Sequence, residues 1–108
     1  MIGPWRRARS FAQRGEDLAV RHLRRQGYRI LERNARYAGC EIDIIAQEGD
    51  TVAFVEVKTR RDDGIAPEES VGPDKERHIC RAAQVYIDRR NDPNLYYRFD
   101  IVSVILPD

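Results

Sequence analysis

Two short apolar segments, Glu41-Ile42-Asp43-Ile44-Ile45-Ala46 and Phe54-Val55-Glu56-Val57-Lys58-Thr59, stand on either side of Glu48-Gly49-Asp50. Apolar, β-branched runs around a glycine-containing turn form a β-hairpin pattern. Side chains two apart along a strand share a face. Glu56 and Lys58 therefore lie side by side, while Val55 and Val57 point the other way, into a core. Closing the hairpin brings Asp43 toward Glu56. Any fold this chain adopts must seat two carboxylates and an ammonium on strands that otherwise want burial.

The rest of the chain supplies layers for that hairpin. Residues 1–9 read as a basic arm, and residues 10–108 as a single domain. Ser10 opens a helix and has capping-box spacing with Gln13. Phe11, Gly15, Leu18, Ala19 and His22 recur at helical spacing with Leu23 beside them, and Gly27 fits the C′ position. Tyr28 to Glu32 reads as a first strand and Asn34 to Gly39 as a turn. Glu41–Gln47 and Thr51–Thr59 are the hairpin strands, and residues 60–73 a long loop. A second helix starts with Asp74 as N-cap. It carries the stripe Ile79, Ala82, Ala83, Tyr86, Ile87 and ends near Asn91-Asp92-Pro93. Tyr97–Ile105 is a last strand. The fold class is α/β: a mixed four-stranded sheet flanked by helices in the order α-β-β-β-α-β.

Composition narrows the setting. No apolar run approaches the roughly 18 residues of a membrane span, so no membrane partner is expected. The basic start lacks the apolar stretch of a secretory signal. Cys40 and Cys80 lack metal-motif spacing, which reads as reduced thiols in a cytoplasmic protein, with a single disulfide as the alternative. Charge is segregated. Residues 1–39 hold ten Arg and three acidic residues, whereas residues 40–108 hold nine basic and fifteen acidic residues. The basic part has no lysine, and arginine pairs bidentately with phosphate.

Asp43 and Glu56 supply hard oxygen ligands of the kind Mg²⁺ or Mn²⁺ takes, and Lys58 stands where it can act on a water or on developing charge. That chemistry hydrolyses phosphodiesters. The competing account is a cross-strand ion pair on a half-exposed sheet. Glu16, at the edge of the first helix's apolar face, points toward the sheet and can join the site; otherwise it is an acid favourable to the helix dipole. Arg14, Arg21 and Arg25 line one side of that helix and can follow a phosphate backbone, with Arg6, Arg7 and Arg9 before them. Arg60 completes the candidate nucleic-acid-binding set. Trp5 and Tyr37 are candidate stacking residues. Against this stands a solvated helix face with an Asp17–Arg21 pair. His22 reads as packing at the core edge, Gln84 as a weak candidate for the metal site, and Asp100 as structural.

In order along the chain, Arg14-Gly15-Glu16-Asp17-x-Ala19, Gly27-Tyr28-x-Ile30-Leu31-x-Arg33-Asn34, Glu41-Ile42-Asp43-Ile44-Ile45-Ala46 and Phe54-Val55-Glu56-Val57-Lys58-Thr59-Arg60 resemble the bacterial YraN family of uncharacterised proteins. The likeness continues weakly to Phe99-Asp100-Ile101-Val102. It implies a restriction-endonuclease-like fold of the PD-(D/E)XK superfamily, nearest to archaeal Holliday-junction resolvases. By that resemblance Asp43 matches the motif's aspartate, Glu56 and Lys58 its Glu-x-Lys, and Glu16 the helix-one glutamate of the resolvase-like branch. Ile42 stands where the superfamily motif has proline. Cys40 separates Gly39 from Glu41, where the family more often runs glycine directly into Glu-Ile-Asp.

Three functions follow as expectations. The first is a Mg²⁺- or Mn²⁺-dependent nuclease on DNA, more than RNA, with branched repair or recombination intermediates as substrates. Holding both strands of a junction would call for a homodimer. The second is a non-catalytic module binding nucleic acid or a partner, and the third an interaction domain that touches no nucleic acid. Fold alone does not choose among them.

Overall fold

The computed structural model describes residues 10–61 and 73–107, of which 73–80 are described by their backbone only. The expected basic arm and residues 62–72 of the expected loop lie outside these. The elements run α1 (Phe11–Arg25), β1 (Arg29–Tyr37), β2 (Cys40–Glu48), β3 (Thr51–Arg61), α2 (Pro73–Arg90) and β4 (Tyr96–Leu106). The sheet order is β1-β2-β3-β4. The first three strands are antiparallel neighbours, and β4 returns parallel to β3. This is the expected α/β arrangement.

Both ends of α1 are closed locally. Ser10 Oγ accepts the Gln13 amide at 3.1 Å and Gln13 Oε1 accepts the Ser10 amide at 2.8 Å, the reciprocal pair of a capping box. At the other end Gly27 lies at φ 97°. Its amide donates to the Arg24 carbonyl, and Tyr28's donates to that of Leu23, at 3.0 and 2.9 Å. These are the two bonds of a Schellman motif. The buried stripe is Gly15, Ala19, Val20 and Leu23. Leu18 is 40 % exposed and His22 is exposed, so both fall off the expected face. The stripe follows an i, i+4, i+8 line through Gly15, which leaves positions 18 and 22 on its flank.

The sheet separates two cores. On one side α1 packs Ala19, Val20 and Leu23 onto Ile44, Ala46, Ala53 and Val55, with Val57, Val102 and Val104 at the margin. On the other, Ala82, Ala83 and Tyr86 of α2 pack onto Ala35, Ile42, Ile45, Val52 and Phe54. Tyr86 meets Tyr37 and Phe54 edge-on, each at 5.6 Å between ring centres. α2 lies over β1 and β2, leaving Phe99, Ile101 and Ile105 of β4 more than half exposed.

Three boundaries differ from expectation by two residues or more. Residues 34–37 continue β1, and the turn is only Ala38-Gly39, both at positive φ as a type I′ hairpin requires. Strand β3 runs on to Arg61. Helix α2 begins at Pro73, a residue suited to the first helical position, so Asp74 lies inside the helix instead of capping it. Among the two cysteines, Cys40 is free, its Sγ 3.6 Å from the Ala38 carbonyl oxygen.

Gly15 fixes how close α1 comes to β3. A Cβ placed there would lie 1.9 Å from Thr59 Oγ1 and 2.8 Å from Thr59 Cβ. Gly15→Ala should therefore cost about 1–3 kcal/mol, the usual range for overpacking, read as a fall in the urea unfolding midpoint. Adding Thr59→Ala should recover only part of the loss, because the Thr59 Cβ remains. An unchanged midpoint in the single variant would mean that the helix can stand further off.

Candidate functional site

The sheet divides at one rung. The β2–β3 ladder runs from Glu48↔Thr51 to Ile44↔Val55 and stops. On either side the other ladders continue, β1–β2 to Tyr37↔Cys40 and β3–β4 to Arg61↔Leu106. Beyond Ile44 and Val55 the two halves part, and Asp43 is the first residue past the division. The Val57 amide, which an unbroken ladder would pair with β2 backbone, instead donates to Asp43 Oδ2 at 2.8 Å.

The backbone explains why the strands part there. Ile44 packs in the α1-side core but Ile42 packs in the α2-side core, although residues two apart should share a face. Strand β1 makes the same reversal, with Arg33 reaching toward α1 and Ala35 packing under α2. Between Arg33↔Ile44 and Ala35↔Ile42, Asn34 is the residue opposite Asp43. Its φ is 51°, the left-handed region that asparagine tolerates better than most residues. One kink, shared by Asn34 and Asp43, turns both strands over and opens the fork.

Glu56 and Lys58 lie on the other arm of the fork. Both are half-buried, on the β3 face that carries Phe54, while Val55 and Val57 face the α1-side core as expected. Asp43's carboxylate accepts from the Val57 amide, the backbone group between Glu56 and Lys58, so Asp43 meets the β3 arm at the stretch that carries them.

Helix α1 crosses the mouth. Gly15 touches Thr59 on the β3 arm, and the next residue, Glu16, reaches the β1–β2 arm. The Glu16 side chain is only 14 % exposed, 4.0 Å from Arg33 Nη2. With its amide nitrogen facing the carboxylates, Asn34 lies 3.2 Å from both Glu16 Oε1 and Glu41 Oε1. Arg36 approaches Glu41 at 3.8 Å. Neither Asn34 nor Glu41 stands out in the sequence as a site residue. Glu41 carries a signal, its place two residues before Asp43 in Glu-Ile-Asp. Asn34 carries one too, as a strand-breaking residue a few positions before the true turn.

The candidate nucleic-acid-binding residues separate. Arg21 and Arg25 line a groove of about 430 Å³ with Asp17, Val20, Arg24 and Arg33. Arg33 donates to Asp17 Oδ1 at 2.8 Å. Arg14 is exposed but outside that groove, and Arg60 is half-buried, its Nε without a hydrogen-bond partner among the described residues. Tyr37 is not available for stacking. Its hydroxyl donates to the Glu32 carboxylate at 2.6 Å, its ring is half-buried against Tyr86, and Arg89 lies over it. Burial, reinforced by the Glu32 hydrogen bond, pushes its phenol up to about 12. Gln84 is exposed and donates to Asp88 on the same helix. Asp100 accepts from Arg98 at 2.9 Å.

A family model described as "Uncharacterised protein family UPF0102" matches residues 15–104. A UPF0102 protein of Caldicellulosiruptor saccharolyticus is 44 % identical over 99 residues, covering 91 % of this chain and 84 % of its own length. One from Chlorobaculum parvum is 48 % identical over 92 residues, covering 84 % and 71 %. One from Syntrophotalea carbinolica is 48 % identical over 98 residues, covering 88 % and 78 %.

The Asp43–Val57 bond makes a structural test possible before any chemical one. Asp43→Ala leaves a partly buried amide unpaired and should cost about 1–3 kcal/mol. Asp43→Asn keeps a carbonyl oxygen for that amide and should cost less than half as much. Urea unfolding, with hydrogen exchange of the Val57 amide, reads both. Equal stability of the two variants would show that the bond does not hold the fork.

Proposed function

The chain belongs to uncharacterised protein family UPF0102, and we propose that it is a cytoplasmic nuclease that uses Mg²⁺ or Mn²⁺ to hydrolyse phosphodiesters of DNA, branched or otherwise structured DNA above all. The observation that carries this reading is the fork. Past the last β2–β3 rung, Asp43 accepts from the Val57 amide between Glu56 and Lys58, and Glu16 of α1 lies beside Arg33 on the β1–β2 arm; this arrangement supports the reading.

The donor set suits a hard, hydrated cation. Among the described residues no three of His, Cys, Asp and Glu gather into a cage. Mg²⁺ is commonly held by one or two carboxylates, with waters and substrate phosphate completing its shell. Asp43 and Glu56 would hold it. When bound, the ion supplies positive charge for the phosphate oxygens and makes a water more acidic.

The side chains have separate tasks. The Val57 amide fixes one oxygen of Asp43 and so sets the plane of the carboxylate. Lys58 orients the attacking water and meets the charge that builds on the phosphate. Glu16, within hydrogen-bond reach of the Asn34 amide nitrogen, would assist from the α1 side. Attack of the water on phosphorus forms the new P–O bond as the bond to the leaving ester oxygen breaks; the water gives up one proton to solvent and the leaving oxygen takes one up.

Calorimetric titration of Mn²⁺, with and without a non-cleavable DNA, should show binding by the parent that Asp43→Asn and Glu56→Gln weaken. Lys58→Gln should retain the ion but cleave at least about a hundredfold more slowly, in a screen of branched, single-stranded and duplex DNA. If Lys58→Gln and Asp43→Asn cut as fast as the parent, the assignment is wrong. If the parent binds DNA in a salt-sensitive, metal-independent way and cuts none of these substrates, the chain is a binding module on the same scaffold.

A further inference from the structure

The arginine groove beside α1 is not accounted for by the fork. Arg21, Arg24 and Arg25 are spaced i, i+3, i+4, so their side chains are neighbours on one helix surface. Arg33 enters from β1 and closes the other wall, with Asp17 and Val20 completing the lining. Among the described residues four arginines and one aspartate line it, Arg33 donates to Asp17, and the three helical arginines are exposed.

We propose that this groove binds the phosphate backbone of a nucleic-acid strand, and that Asp17 competes with that backbone for Arg33. The first argument is charge. Guanidinium groups match phosphate oxygens bidentately, and placing four of them together is unfavourable unless anions meet them. The second is shape. Among the described residues Val20 is the one apolar lining residue, and the buried stripe of α1 faces the sheet. The described lining is dominated by cationic side chains, which favours a phosphate backbone lying along it.

The third argument is position. Arg33 Nη2 lies 2.8 Å from Asp17 and 4.0 Å from Glu16, so one side chain belongs to the groove wall and also borders the mouth of the fork. A strand held in the groove passes beside Glu16. A phosphate arriving there takes hydrogen bonds from Arg33 that Asp17 now receives. Arg24 and Arg33 thereby join Arg21 and Arg25 in holding the backbone, and Arg14 and Arg60 do not belong to this surface. The groove rests on the nuclease reading only for where the strand leads, since binding itself requires no cleavage.

Anisotropy of a fluorescent DNA strand, titrated in EDTA across a range of salt, isolates the groove from the chemistry. Arg21→Ala/Arg24→Ala/Arg25→Ala should weaken binding and lower the salt slope by about 0.7–0.9 for each phosphate no longer neutralised. Arg33→Gln should weaken it further. Asp17→Asn should tighten binding about two- to fivefold, whereas Asp88→Asn on α2 should change it less. Arg81→Ala on α2 serves as the control arginine, and urea midpoints confirm that each variant is folded. A triple variant that binds with the parent's affinity and slope overturns the groove. So does Asp17→Asn binding no tighter than Asp88→Asn, or a parent that binds no DNA at low salt. Strong, groove-dependent binding without cleavage in Mn²⁺ would leave the groove standing and remove the nuclease reading. Cleavage indifferent to the triple variant would do the reverse.

Discussion

Strand β3 has to serve two ladders of unequal length, and the rest of the site follows from that. Its eleven residues all pair with β4, but only the first five pair with β2. A backbone amide left unpaired at the break would be costly where it is partly buried. Asp43 meets the Val57 amide with its side chain, so the division of the sheet is completed by the same carboxylate that is the leading candidate for binding a cation. Structure and chemistry are therefore coupled at Asp43. Loss of activity on removing this side chain would not by itself prove a catalytic role, whereas amide-for-acid replacement separates the two.

Much of this is legible in the sequence, for identifiable reasons. The Ser10–Gln13 box and Gly27 are local signals, satisfied by bonds within a few residues, and they define α1 as read. Val55 and Val57 against Glu56 and Lys58 is a period-two pattern in an otherwise apolar strand, and the faces fall as that pattern requires. The full length of the β1–β2 hairpin is hidden because its turn, Ala38-Gly39, is a weak signal and Asn34 a strong one. Asparagine in the left-handed region ordinarily marks a turn. Here it sits within a strand, because the strand must turn over without ending. The reversal is a property of two strands together, so no window on either alone reveals it. For the same reason Glu41 is inconspicuous: its proximity to Glu16 depends on Asn34, an upstream residue that the sequence places in a loop.

The arginine readings fail in a different way. Arg14, Arg21 and Arg25 share a line on a helical wheel, which says only that they share a side of α1. The groove selects Arg21 and Arg25, adds Arg24 from the same helix and Arg33 from β1, and leaves Arg14 out. A helical wheel cannot show which neighbouring strand supplies the second wall. Tyr37 illustrates the limit of composition in the same manner. As an aromatic in a basic region it looks suited to stacking, yet its hydroxyl is bonded to Glu32 and its ring is enclosed by Tyr86 and Arg89.

Helix α1 ties these parts into one unit. Its start is capped by Ser10 and its end by the bonds at Gly27 and Tyr28, so its length is fixed at both ends. Gly15 then sets its distance from β3, since Thr59 occupies the space a larger residue would need. Glu16 follows Gly15 directly, so the contact that positions the helix also sets the depth at which Glu16 meets Asn34. Arg21, Arg24 and Arg25 lie roughly one to three turns further along the same rigid rod. A displacement of α1 away from Thr59 would move Glu16 and the groove together, and by a similar amount. A close approach of α1 to the sheet therefore lies at the end where the helix meets the fork, although the largest apolar residues of its buried stripe, Val20 and Leu23, lie nearer its middle and end.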